Sequence, residues 1–237
     1  MDIITSLAIV TMAALVHASF QLSVSVLTLL SGHAIGAKKS HRRTVALTGS
    51  FVIGAGIMTL LLLAFFAATF SHVFGNGVSA FVWALACGLL IGVGLAVWVF
   101  YYRRERGTTI WVPRSFARHL SNRSKATKDP TEAFSLGLTS VISEILFIVA
   151  PLAISALVIV QLPGIWQLVG VAIYTVISLL ALLIVWISVS SGHSISAIQK
   201  WRESNKHFLQ FAAGSALVIL GAFVYVNQIV SMAVGMA

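Results

Sequence analysis

The sequence predicts an all-α, polytopic membrane protein, one membrane domain over residues 1–237 with six transmembrane helices. Three observations lead there. Hydrophobic residues make up 59% of the chain and charged residues only 9%, with a mean hydropathy of +1.00. A soluble globule cannot hide that much apolar surface. The apolar residues come in runs long enough for a hydrocarbon core that takes about 20 residues per helical span. The fifteen Lys and Arg residues fall in three blocks: Lys38 to Arg43, Arg103 to Lys128, and Lys200 to Lys206. Segregation of this kind follows when alternate loops face the cytoplasm. A pI near 10.3 then reflects topology and does not call for nucleic acid as a partner.

The first helix is expected at about 5–31. Met1-Asp2-Ile3-Ile4 lacks a positive n-region and the apolar run after it exceeds an h-region, so a retained helix is expected, not a cleaved signal peptide. After the first basic block comes a second helix at about 45–71. A short connection without Lys or Arg, Ser71 to Gly77, leads to a third at about 79–102. Trp83 and the run Phe100-Tyr101-Tyr102 mark its ends, as an aromatic belt would. Ala84, Gly88, Gly92 and Ala96 recur at four-residue spacing along it, a ridge suited to close helix packing in lipid. Cys87 sits in the same helix, where an inert buried thiol is expected; one cysteine excludes an intramolecular disulfide and a Cys-rich metal site.

The long basic loop at about 103–132 follows. Thr108 to Val112 has strand-like composition, and Arg114 to Arg123 suits a short helix with Phe116 and Leu120 on one side and Arg114, Arg118 and His119 towards the other. Arg114, Arg118, Arg123, Lys125 and Lys128 are therefore candidates for binding anionic lipid or a partner. Asp129-Pro130-Thr131-Glu132 reads as a helix start, with a cap, Pro at the first position and a capping-box-like Glu. It opens a fourth helix at about 133–160. Gln161 to Gly164 joins this to a fifth at about 164–190, with Trp166 near its start, and the last basic block precedes a sixth at about 208–233. Both termini are placed outside and the basic loops in the cytoplasm of a prokaryotic plasma (inner) membrane.

One acidic residue carries most of the chemistry. Asp2, Glu105, Asp129, Glu132 and Glu203 lie at the terminus or in basic loops, whereas Glu144 falls well inside the fourth helix. A carboxylate at that depth faces a bundle interior or a water-filled cavity, and is a candidate for reversible protonation or cation binding; the structural alternative is a protonated Glu bonded to a neighbouring helix. His17, Gln21, Ser25 and Thr28 share one face of the first helix. Ser140, Glu144, Pro151 and Ser155, with Ser143 beside them, form a comparable stripe on the fourth, and Pro151 is a candidate interruption. The two stripes are expected to face each other or a shared cavity.

A shift of 123 residues superimposes the first three helices on the last three and pairs Gln21 with Glu144; with three helices per half, the second is inverted, as in many secondary transporters. A rival shift of 160 matches Ser31-Gly32-His33-Ala34-Ile35 to Ser191-Gly192-His193-Ser194-Ile195, Phe51 to Phe211 and Gly54 to Gly214. It would place His33 and His193 together as an inner-end metal or proton site. The first shift accounts for the Glu144 stripe and is preferred.

No span contains a lysine for a Schiff base, and no His-Glu-x-x-His, Gly-x-Ser-x-Gly or phosphate-loop motif occurs. Neither an enzymatic activity nor a cofactor is expected. In its 3+3 helices, external ends and long basic central loop, the chain resembles the six-helix bacterial exporters and carriers of the LysE and CcdA types. That resemblance is architectural and carries no site residue; the cysteines of CcdA-type carriers are missing, which speaks against electron transfer. The expectation is a small secondary transporter or exporter of an ion or small solute, coupled through Glu144. The alternative is a non-transporting scaffold that binds membrane lipid or a partner through its basic loop.

Overall fold

The computed structural model describes residues 1–20, 23–36, 40–75, 77–101, 120, 122–192, 200–201 and 204–231, apart from the side chains of residues 33–36, 101 and 206. Among the described residues the structure is helical, without strands. The helices are α1 (Ile3–Ser19), α2 (Ser23–Gly36), α3 (His41–Phe74), α4 (Ala80–Ala96, extended by a π-helical turn over Val97–Tyr101), α5 (Pro130–Ser143), α6 (Ile145–Ile159), α7 (Gly164–Ser178), α8 (Leu180–Ser190) and α9 (Lys206–Tyr225, extended by a π-helical turn over Val226–Val230).

Local chemistry sets the ends. Asp2 caps α1, its carboxylate accepting from Thr5 N at 3.4 Å, and the hydroxyls of Ser40 and Ser79 accept from Arg43 N and Val82 N to cap α3 and α4. Gly75, with φ +55°, ends α3 in a conformation that favours glycine. At α5, Pro130 takes the first helical position as expected, but Asp129 makes no side-chain cap; Glu132 instead accepts from Lys128 N at 2.8 Å.

Among the described residues three helices, α3, α4 and α9 with their extensions, are each long and apolar enough to cross a membrane. The first, fourth and fifth expected spans are each broken. Between α1 and α2 the axis bends by 48°, between α5 and α6 by 80°, and between α7 and α8 by 54°; each bent pair passes the same test of length and hydropathy when taken together. The outward surface is rich in Phe65, Phe81, Leu85, Leu168 and Ile184, the inverse of a water-soluble fold and suited to a membrane-embedded one.

Helix α3 packs most extensively on α5, and α4 on α9, while α1 packs against both α6 and α7. Glycines allow the tightest crossings. A Cβ built on Gly54 would lie 2.2 Å from the Phe134 carbonyl oxygen, and one on Gly137 would lie 2.2 Å from that of Phe51. Gly94 and Gly214 bring α4 and α9 into similar contact, a Cβ on Gly94 falling 2.8 Å from the Gly214 oxygen. The packing seam of α4 is thus Trp83, Cys87, Leu90 and Gly94. The expected ridge is not that seam: Ala84, Gly88 and Gly92 are exposed and Ala96 half-buried, with nothing within 4 Å of a Cβ on Gly88 or Gly92. The spacing was right but the face was wrong, because a four-residue repeat of small residues marks a smooth surface without saying what covers it. Trp83 is fully buried and not part of an interfacial belt, whereas Trp166 is exposed.

Candidate functional site

The breaks in two bent pairs meet. At Phe20 the backbone turns out of α1 (φ −91°, ψ 1°), and α2 restarts at Ser23. At Glu144 (φ −93°, ψ −2°) it turns out of α5, and α6 restarts at Ile145. The Glu144 side chain is 1% exposed. Its Oε1 accepts from the Ser23 backbone N–H and from the Ser23 hydroxyl at 2.7 Å. A restarted helix leaves its first N–H groups without intrahelical acceptors, and its positive end favours an anion. Glu144 supplies that acceptor, so each break accounts for the other. The aromatic rings of Phe20 and Phe147 stack across the junction, centroids 5.7 Å apart.

The Ser23 hydroxyl also lies 2.9 Å from that of Ser140, which in turn lies 2.8 Å from the Gly137 carbonyl. Each hydroxyl has one hydrogen, and the chain admits two arrangements. With Glu144 ionised, Ser140 donates to Ser23 and Ser23 donates to the carboxylate. With Glu144 protonated, its O–H donates to Ser23, Ser23 to Ser140 and Ser140 to Gly137. The same heavy-atom positions serve both charge states.

His17 lies one turn before the first break and is buried, but its partner is on another helix: Nδ1 is 2.9 Å from the hydroxyl of Tyr174 in α7, which is also buried. Two hydroxyls nearby in the sequence of α6 and α7, Ser155 Oγ and Thr175 Oγ1, are buried and have no partner among the described residues. Sites of this kind hold ordered water.

The expected site residues divide accordingly. Glu144 and Ser140 meet in one network, and the hydroxyl of Ser143 donates to the Ser140 carbonyl beside it. Thr28 is buried and its hydroxyl donates to the Ser25 backbone carbonyl at 2.8 Å, so it is engaged within α2; Ser25 is half-buried. Pro151 is buried inside a continuous α6 and is not the interruption; the break falls seven residues earlier, where Glu144 finds Ser23. Gln21, His193, Arg114 and Arg118 lie outside the described residues, as does the side chain of His33. Arg123, Lys125 and Lys128 are exposed at the end of the bundle where the guanidinium of Arg43 donates to the Lys128 carbonyl and His41 Nε2 lies 3.1 Å from the Ser190 carbonyl. Among the described residues no cluster of three His, Cys, Asp or Glu side chains is arranged to hold a metal.

No protein-family model, curated protein or solved structure matches this chain.

Sequence reasoning missed Ser23 and Tyr174. Tyr174 carried a signal, since a phenol within an apolar helix needs a partner for its O–H. Ser23 carried none: on an unbroken helix it falls about 200° from Gln21, and only the break turns it towards Glu144.

Proposed function

We propose that the chain is a six-span secondary transporter or exporter built from two inverted three-helix repeats, with Glu144 as the site that binds a coupling proton or a small cation. The single observation that carries this is the junction of two broken helices on a buried carboxylate. Helices broken near mid-span around a charged group are a recurring feature of substrate and coupling-ion sites in secondary transporters, and here the positive end of α2 holds the carboxylate that would take the proton or cation. A helix lock would need only the carboxyl and one donor; the reversible hydroxyl chain through Ser23 and Ser140 adds the means to change charge state without repacking.

Bend angles support counting each pair as one span. The most strongly bent, α5 with α6, comprises 29 residues between Pro130 and Ile159 apart from Glu144 itself. At 1.5 Å per residue that is about 43 Å of helix, and with each half tilted about 40° it still rises about 33 Å, enough for a hydrocarbon core of about 30 Å.

Three contacts support the inverted repeat. Residues related by a two-fold axis touch their own counterparts only where they approach the axis. Under the 123-residue shift Gly56 corresponds to Leu179, and a Cβ on Gly56 would lie 3.0 Å from Leu179 Cδ1. Gly94 corresponds to Leu217, and a Cβ there would lie 3.1 Å from Leu217 Cβ. Gln21 corresponds to Glu144, which bonds Ser23 two residues on. Two of the helix pairs thus touch at counterpart positions, and the third touches two residues from one. The 160-residue shift fares worse, since it equates buried Phe51 with exposed Phe211. We place the basic end in the cytoplasm of a plasma membrane and both termini outside, on the charge segregation.

The test is Glu144→Gln in reconstituted vesicles with an internal pH-sensitive dye and a panel of cations. Proton- or cation-driven flux is expected to fall about tenfold or more, because Gln keeps an acceptor oxygen but takes up no proton. Unchanged flux in a variant that retains its gel-filtration profile overturns the proposal and leaves the scaffold alternative, for which neutralising Arg123, Lys125 and Lys128 should abolish binding to anionic vesicles.

A further inference from the structure

A cavity of about 230 Å³ opens at the basic end of the bundle, between α5 and Leu120, Arg123, Ala126 and Thr127. Its lining includes Arg123 and Thr127 on one side and Glu132, Ser135 and Thr139 of α5 on the other. Those three α5 residues and Ser143 follow one another at intervals of three, four and four, which keeps them within an arc of about 80° on one helix face. Their exposure declines along the row: Glu132 and Ser135 are exposed, Thr139 and Ser143 half-buried, and Glu144 fully buried at the end. The row is about 17 Å long, half the thickness of a hydrocarbon core.

The orientation of the hydroxyls gives the row a chemical character. Ser135 donates to the Thr131 carbonyl at 3.1 Å, Thr139 to that of Ser135 at 2.8 Å, Ser143 to that of Ser140, and across the cavity Thr127 to that of Arg123 at 2.7 Å. Every one of these hydrogens is turned back onto a helix, so the lining oxygens of Thr127, Ser135 and Thr139 show the cavity only lone pairs, and Ser143 continues the row beyond it. With the Glu132 carboxylate at the mouth, the row is a series of acceptors. Among the described lining residues an anion would find one cationic donor, Arg123. A cation, or water carrying an excess proton, would find an oxygen at every turn of the helix. The other half of the bent span contrasts with this: from Ala150 to Ile159 every residue of α6 is buried.

Building on the transport reading above, we propose that this cavity is the entrance of a cation-selective path that leads along the Glu132, Ser135, Thr139 and Ser143 face of α5 to Glu144, and that the structure is open to the basic end and closed at the other. The occupant is a monovalent cation, either hydronium or a hydrated alkali ion.

The experiment uses the full chain with Cys87 replaced by Ala, carrying Ser135→Cys, Thr139→Cys or Ser143→Cys one at a time, with Ser155→Cys on α6 as the comparison. Each near-isosteric variant is exposed in oriented vesicles to membrane-impermeant methanethiosulfonates, one cationic and one anionic, from each side in turn. The cationic reagent is expected to modify positions 135, 139 and 143 from the basic side, more slowly with depth and about tenfold or more faster than the anionic one, with position 155 unreactive from both sides. Slowing of the Thr139→Cys reaction by sodium or potassium at fixed pH identifies the alkali ion as occupant; labelling that neither ion slows identifies hydronium, the pH being held constant because acid itself removes the reacting thiolate. No modification at 139 and 143, equal rates for the two reagents, or modification from the opposite side would overturn the path. The outcome separates from that of the flux assay. Labelling as expected with flux unaffected by Glu144→Gln keeps the path and removes the transport reading, and flux lost in Glu144→Gln without labelling does the reverse.

Discussion

Glu144 owes its position to Ser23, and that dependence can be measured. Ser23→Ala removes the hydroxyl that donates to the carboxylate at 2.7 Å and links it to Ser140, while the backbone N–H still reaches Oε1. Losing one buried bond to an ionisable group should lower stability by about 1–3 kcal/mol, read as a lower midpoint in thermal unfolding in detergent. Ser23→Thr, which keeps the hydroxyl, should recover most of the loss; equal loss in both would show that packing and not the hydrogen bond matters. The burial of Glu144 was legible in the sequence because a carboxylate within an apolar run is costly wherever it lies and so faces the bundle interior. Its partner was not, because Ser23 belongs to another helix and is brought round only by a backbone break that no local pattern marks. His17 shows the same limit: its burial was foreseeable, but its bond to Tyr174 joins positions 157 residues apart.

At the scale of the element, the six apolar segments were readable and their ends were close, since hydropathy and caps such as Ser79 and Pro130 act locally. The breaks were not. Pro151 was the obvious candidate for one, yet α6 continues through it. A proline in a buried membrane helix removes one N–H, a loss that neighbouring groups can compensate, whereas at Glu144 a tertiary partner holds the chain out of helical register. Close crossings were similarly misplaced, and here a paired substitution is informative. Gly137→Ala would put a methyl group 2.2 Å from the Phe51 carbonyl oxygen, against backbone that cannot yield cheaply, whereas Gly88→Ala meets nothing within 4 Å. The first should cost about 1–3 kcal/mol or more, and the second should leave stability within about 0.5 kcal/mol of the parent. Unfolding midpoints of the two variants in the same detergent check this. A large loss for Gly88→Ala would mean that another surface covers that face of α4.

For the whole molecule the decisive question is whether each bent pair crosses the bilayer or dips in and returns. A segment that returns to its own side must reverse direction, which a bend of 48° between α1 and α2 or 54° between α7 and α8 does not do. At 80° between α5 and α6 both halves advance in the same sense where the two are tilted about equally from the bilayer normal. Crossing also agrees with the charge pattern, which needs an odd number of spans between a basic block and each uncharged connection. Single cysteines placed in the Cys87→Ala background at Asp2, Ser40, Gly77, Lys128, Gly164 and Ser204 should therefore label with an impermeant reagent in two groups. Asp2, Gly77 and Gly164 should be reached from one side, and Ser40, Lys128 and Ser204 from the other. Labelling of Asp2 and Ser40 from the same side would make the first pair re-entrant. Labelling of Lys128 and Gly164 from the same side would do so for the pair that carries Glu144. The second result matters more, because that pair carries the residue on which the proposed exchange of a proton or cation rests.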